Sequence, residues 1–380
     1  MNFSNRINNI AESMTVQFTP LIQRLRQEGK PVVDFAVGEP EFRTAQPIID
    51  STRKALEDGH TRYSPVPGLP ELRTLIADLY PGCDFENIIV SNGSKQSLFL
   101  IFQVLLNPGD EVIIPRPYWV SFAEQVKLAG GIPVFADTIH HQPDVDLISG
   151  LVTPRTKAVI INSPNNPTGA VYPEKALKTV LEIAAKHDLY VISDEAYGFF
   201  VYDGITSKSL YGLAVDRDRL IVVAGFSKQY SMTGFRIGYV AADKSLVKAL
   251  GKYQSHLSGN VCTFAQHGAL GALSMDRGLL MNQKAGLEKK RDLAWSQVSL
   301  WSDCIRPQGA FYIFPDISRL LKPNETDSDF AADLLQKAGV AVVPGEAFGA
   351  PGHIRISYAV SENVLTQGFE KISGYMRLYR

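Results

Sequence analysis

The chain is short of cysteine, of net charge and of long apolar runs, and each shortage removes a class of protein. Cys83, Cys262 and Cys304 are the three cysteines in 380 residues. They are widely spaced, with no C-x-x-C pair and no even-numbered framework, so free thiols in a reducing compartment are expected. Lys and Arg number 38 against 39 Asp and Glu, a formal net charge of -1. No global field draws such a chain to nucleic acid or to an anionic membrane. The longest apolar stretch, near Leu98 to Leu106, is broken by Gln103 and is too short to span a bilayer. The opening residues Met1-Asn2-Phe3-Ser4-Asn5-Arg6 carry no apolar signal core, and repeats, low-complexity tracts and charge runs are missing. The expectation is a cytoplasmic protein that works on small molecules without nucleic acid, membrane or metal.

What is present is an ordinary globular composition, 45% hydrophobic, long enough for one large domain and a smaller one. Short β-branched runs alternate with helical patterns through the middle of the chain: Ile88-Ile89-Val90 then 95–106, Glu111-Val112-Ile113-Ile114 then 118–129, Ala158-Val159-Ile160-Ile161 then 173–187. Tyr190-Val191-Ile192, Leu220-Ile221-Val222-Val223 and Ile237-Gly238-Tyr239-Val240 continue the series. Repeated units of this kind imply an α/β domain with a mostly parallel sheet covered by helices on both faces. Helical patterns at 244–256 and 260–294 lead to two more strand candidates, Val340–Val343 and Ile354–Ser357, and a last helix from Glu362. That end reads as a smaller α+β domain. Residues 1–46 are too few to fold alone. The expected division is an arm over 1–46 packed on the small domain, a large domain over 47–284 and the small domain over 285–380.

In parallel sheets ligands bind outside the carboxyl ends of the strands, and there the unusual polar residues fall. Asn162 to Gly169 follows one strand, Ser193 to Tyr197 the next, and Gly225 to Lys228 a third. Lys228, Arg236 and Asp194 together offer an amine for a Schiff base, a guanidinium for a phosphate and a carboxylate for a ring nitrogen. Those are the needs of pyridoxal 5'-phosphate. Burial and nearby cations would keep the Lys228 amine neutral enough to react; its plain alternative is a solvated surface lysine. Asp194 would pair the protonated pyridine nitrogen, unless it only caps a helix. Tyr197 could place a hydroxyl near the ring oxygen, or simply pack in the core, and Asn166 could donate to the same oxygen. Gly93-Ser94-Lys95 opens a helix with free amides suited to phosphate, although a capped turn looks the same. Trp119 offers an indole face to the ring, and Arg355, between Ile354 and Ile356, could fork onto a substrate carboxylate. A structural salt bridge is the alternative for both arginines.

Several stretches in register, Val33 to Pro40, Tyr63 to Arg73 and Gly352 to Tyr358, together with the residues above, resemble the class I aminotransferases of the fold-type I pyridoxal-phosphate family. The bacterial aspartate aminotransferase subgroup is the nearest in pattern, and the resemblance runs over almost the whole chain. It implies a seven-stranded-type sheet in the large domain and a small domain that closes over the substrate. It further implies that Lys228 carries the cofactor and shuttles a proton, that Asp194 pairs the ring nitrogen, and that Asn166 and Tyr197 hold the ring oxygen. Trp119 would stack; Arg236, Ser227 and the Gly93-Ser94-Lys95 turn would bind phosphate, and Tyr63 would reach the site of a partner subunit in a homodimer. Gly38, Asn166, Trp119 and Arg355 would hold the substrate. One departure stands out: many relatives have a hydroxyl residue three positions before the lysine, and here that residue is Gly225. The phosphate site is then one donor weaker, or Ser227 compensates.

The side-chain pocket is the least readable part. In the resembling subgroup a lysine, here Lys95, and two hydroxyls, here Ser13 and Thr15, recognise a distal carboxylate, which favours aspartate or glutamate as donor and a 2-oxo acid as acceptor in a ping-pong reaction. Ser13 and Thr15 also read as helix caps. Phe18, Tyr63, Tyr253, His256 and Phe264 would suit aromatic or branched substrates, so an aromatic amino acid, alanine or a prephenate-type biosynthetic keto acid stays open. Two other classes do too: a carbon–sulfur lyase on the same scaffold, and a non-catalytic ligand sensor, which would normally add a basic helix-turn-helix segment.

Overall fold

A computed structural model describes residues 4–12, 14 and 18–379. In chain order its strands are β1 (Val33–Asp34), β2 (Ile88–Ser91), β3 (Glu111–Arg116), β4 (Ile132–Ile139), β5 (Gln142–Pro143), β6 (Thr156–Asn162), β7 (Tyr190–Asp194), β8 (Leu220–Gly225), β9 (Gly238–Ala241), β10 (Tyr312–Ile313), β11 (Val340–Ala341), β12 (Val343–Pro344) and β13 (Ile354–Ser357). The β-branched runs form one large sheet in the order β2-β9-β8-β7-β6-β3-β4-β5. Neighbours from β8 to β4 pair in parallel, while β9 runs antiparallel to both β8 and β2. Six of the eight strands are the expected ones; β4 was not expected, and β5 is only a two-residue return of β4.

Because side chains alternate across a strand, each run feeds two cores. Ile113, Val159, Ile161, Val191 and Val222 belong to the core on one face. Val112, Ile114, Ile160, Ile192, Ile221 and Val223 belong to the core on the other. Helices cover both faces, which is why these strands read as continuous apolar runs rather than as alternating ones.

A second sheet, β10-β13-β12, is antiparallel and backs onto a third core containing Phe311, Ile313, Phe330, Ile354 and Phe369. The helices Asp327–Ala338 and Glu362–Tyr379 pack there. The N-terminal segment joins this part of the molecule: β1 pairs in parallel with β11, Val33 opposite Val340. Gly368 permits it, since a Cβ there would stand 2.2 Å from the Phe35 ring.

Two expectations are corrected. The helical stretch 260–294 is two helices, Thr263–Ser274 and Arg277–Val298, because Asp276 adopts an extended backbone and its carboxylate accepts from the Gly278 amide as a fresh N-cap. The strand expected over Val340–Val343 is split into β11 and β12, which pair with different partners, β1 and β13. Among the described residues no helix is long and apolar enough to cross a membrane.

Candidate active site

The ends of β6, β7 and β8, with the turn after β2, open on one edge of the large sheet around a cavity of about 430 Å³. Asn162 closes β6, Asp194 closes β7 and Gly225 closes β8. Asn162 ties the loops together, its Nδ2 donating to the Asp194 carbonyl at 3.1 Å and its Oδ1 accepting from the Asn166 amide at 3.0 Å. Asp194 turns its carboxylate inward, where Oδ1 accepts from the Ala196 amide at 3.1 Å. Lys228, Ser227, Tyr197 and Trp119 share the lining, and the Lys228 Nζ donates to the Gly38 carbonyl from the N-terminal segment.

At one end of the cavity stand Ser94, Lys95 and Arg236. Gly93 belongs to this end without lining it, because the Arg236 guanidinium rests directly against its Cα. Arg236 Nη1 donates to the Thr233 carbonyl at 2.9 Å, and the Thr233 hydroxyl donates to Glu39 at 2.7 Å. Gly225 is filled from outside: a Cβ there would lie 2.8 Å from the Ser94 hydroxyl, which donates to the Ala224 carbonyl at 3.0 Å. The hydroxyl beside Gly225 is therefore that of Ser94.

At the other end stands Arg355, from β13. Its Nη1 donates to Asn166 Oδ1 at 3.0 Å and its Nη2 to the Ala36 carbonyl at 2.8 Å, while Nε is buried without a partner. Gly38 completes that wall.

Residues 30–372 match the family Aminotransferase class I and II. Aspartate aminotransferase of Geobacillus stearothermophilus is 39% identical over 99% of both chains. A probable aspartate/prephenate aminotransferase of Aquifex aeolicus is 41% identical over 97% of each. Among solved structures, aspartate aminotransferase from Thermus thermophilus with maleate superposes with a TM-score of 0.94, at 38% identity over 98% of this chain and 99% of that one. The chain belongs to the class I and II aminotransferases.

The electrostatics of the aminotransferase site follow from burial. Desolvation first, and then the Arg355 cation, pulls the Lys228 ammonium down to about 8. The opposite holds for Asp194, whose carboxyl is pushed up to about 7 by burial. An acceptor-rich site would not do this to both; here a base is made easier to deprotonate beside a carboxylate that wants a cation. Lys95 keeps an exposed side chain, but its ammonium is lowered by desolvation where it lies 5.1 Å from the Trp119 ring centroid, and next by Arg236.

Some expected residues fall elsewhere. Tyr63 is 98% exposed and outside the aminotransferase cavity. Tyr253, His256 and Phe264 do not line it, whereas Phe18 does; Tyr253 instead donates to Gln103 at 3.2 Å. Ser13 and Thr15 lie outside the described residues. Sequence reasoning missed Tyr312, Glu39, Thr233 and Ile22, all of them in the lining. Tyr312 sits on a two-residue strand inside the aromatic stretch Phe311-Tyr312-Ile313-Phe314, which carries no periodic signal; Glu39 and Thr233 were visible only as neighbours of Gly38 and Arg236.

Proposed function

We propose that the enzyme uses pyridoxal 5'-phosphate to move an amino group between aspartate or glutamate and a 2-oxo acid. The observation that carries this reading is the order of groups along one cavity: Gly93, Ser94 and Arg236 at one end, Lys228 and Asp194 in the middle, and Arg355 with Asn166 at the other. The donor set fits the cofactor. Arg236, Ser94, Ser227 and the amides that open the helix Ser94–Leu105 would hold its phosphate. Asp194, raised by burial, gains most from a cationic ring nitrogen, and Trp119 would cover a ring face while Tyr197 and Asn166 address the ring oxygen. When bound, the cofactor supplies a carbonyl carbon that takes up the amine and a protonated ring that draws electrons from the substrate Cα.

The chain's own groups would do the rest. Lys228 Nζ, largely desolvated and about half deprotonated near pH 8, would remove the proton from the substrate Cα and hold it for transfer to the cofactor's carbonyl carbon. Arg355, whose Nε has no partner, would bind the α-carboxylate together with Asn166 and Gly38 and so fix which bond faces Lys228. Arg355 belongs to the part we read as a small domain, residues 285–380 with the arm 1–46, against the large domain 47–284. Carboxylate binding would draw that domain onto the cavity and exclude water. The exposed Tyr63 fits a homodimer in which each Tyr63 serves the other subunit's site.

Lys95 supports the choice of a dicarboxylate, since its ammonium borders the cavity over Trp119; Ser13 and Thr15 would complete that subsite. Aspartate also appears in the names of the similar proteins from Geobacillus and Aquifex. The second of those names includes prephenate, and Phe18 and Ile22 on the same wall would suit such a bulkier acceptor. Single amino acids added to the purified holoenzyme without any 2-oxo acid test the reading. Aspartate and glutamate should bleach the cofactor's visible band within seconds. A band that they leave unchanged while aromatic donors bleach it would discard the dicarboxylate. Release of pyruvate and ammonia from a cysteine conjugate would instead identify a lyase.

A further inference from the structure

Tyr312, 1% exposed on β10 yet bordering the cavity, touches three of the groups discussed above. Its hydroxyl is 2.8 Å from that of Tyr197. The Arg355 guanidinium lies over its ring, 4.3 Å from the centroid. A Cβ on Gly38 would stand 2.9 Å from its hydroxyl, so Gly38 leaves the space that this oxygen occupies. The backbone is held by β-pairing, Tyr312 opposite Ser357, and the ring meets the Tyr197 ring edge-on at 76°.

A phenol has one proton to give and lone pairs to accept with. Two phenols at this separation share one hydrogen bond, so one donates and the other accepts. If Tyr197 directs its proton to an acceptor in the cavity, the proton between the two oxygens must come from Tyr312. We propose that Tyr312 is a positioning residue of the reaction: it donates to the Tyr197 hydroxyl and thereby turns the Tyr197 proton toward the cofactor's ring oxygen. The inference rests on the cofactor reading above. Donation into Tyr197 polarises its O–H bond and makes it the better donor. The Arg355 cation on the ring face keeps Tyr312 in place and favours it as the giving partner. Tyr197 lies in the turn after β7 of the large sheet and Tyr312 on β10 of the small one, so the relay also joins the cofactor wall to the sheet that carries the carboxylate-binding arginine.

The test is a pH titration of the holoenzyme's visible absorption band, which reads the proton held by the bound chromophore rather than turnover. Tyr312→Phe removes the hydroxyl and leaves the ring beneath Arg355. Weaker donation from Tyr197 should move the midpoint to higher pH by about half a unit. Tyr197→Phe should move it further in the same direction, and the double variant no further than Tyr197→Phe alone. As a second variant, 3,5-difluorotyrosine at position 312, a more acidic phenol of the same shape, should shift the midpoint to lower pH. A midpoint that responds to Tyr197→Phe and ignores both changes at 312 overturns the relay and leaves the cofactor reading standing; additive shifts also overturn it. A midpoint indifferent to Tyr197→Phe removes that residue's role and the relay with it.

Discussion

The guanidinium of Arg236 rests on the bare Cα of Gly93. A Cβ at that position would come within 2.5 Å of Nη2 and 3.0 Å of Cζ, and the Gly93 backbone, at φ 81° and ψ 160°, occupies a region that only glycine enters readily. Gly93→Ala should therefore displace Arg236 and strain the turn by roughly 1–3 kcal/mol. The expected result is cofactor affinity weakened at least about tenfold, with the Lys228 chemistry intact once saturated. Cofactor titration of the apoenzyme checks it; unchanged affinity would mean that Arg236 does not hold phosphate.

Asp194 gives a pH-dependent prediction. Its folded value of about 7 lies above the ordinary 3.8, so between those values the folded apoenzyme binds more protons than the unfolded chain. Stability then falls as pH rises through that window, and the cost is complete above about pH 7. Asp194→Asn should raise the apoenzyme melting temperature at pH 8, roughly 1–2 °C for each ~1 kcal/mol recovered in a chain of this size, and the gain should vanish toward pH 4. The same variant should lose nearly all transamination. Melting curves at the two pH values measure the first part, and a gain that persists at pH 4 would contradict the burial account.

Gly225 and Ser94 form a packing pair. Restoring a side chain by Gly225→Ser should reduce cofactor affinity, because the new Cβ meets the Ser94 hydroxyl at 2.8 Å and the Ile237 carbonyl at 3.1 Å. Ser94→Gly frees that space but also removes a phosphate donor, so the packing relief is read on the apoenzyme: the double variant should regain part of the melting temperature lost by Gly225→Ser. Equal melting temperatures in the single and double variants would show that the two positions do not compete.

Lys95→Ala should lower kcat/KM for aspartate and glutamate by about tenfold to a hundredfold, on the scale of one charge-assisted contact, and leave apolar donors nearly unchanged. An equal loss for all donors would move Lys95 from the side-chain pocket to the phosphate end, where desolvation and then Arg236 already depress its ammonium.

The central sheet was legible because strands buried on both faces read as unbroken β-branched runs, as in Ile160-Ile161 and Val222-Val223. Strand β4 was not, since Ile132 and Ile139 are exposed and Pro133 interrupts the pattern near the sheet edge. Polar residues at strand ends pointed to the location of Asp194, Asn166 and Lys228, because a parallel sheet gathers those ends at one edge. Tyr312 escaped notice for the reverse reason: β10 is two residues long, and nothing local indicates that its hydroxyl meets a residue 115 positions away. Likewise the Gly225 departure could be seen, but its filling by Ser94 depends on how β8 and the turn after β2 lie together.

Reduction of the holoenzyme with borohydride, followed by peptide mass mapping, tests the central assignment most directly. It fixes the cofactor to whichever amine carries it. The account predicts one label, on the peptide containing Lys228, and none after Lys228→Ala. A label on Lys95, which borders the same cavity, or on Lys290, whose ammonium burial also pulls down to about 8, would contradict it.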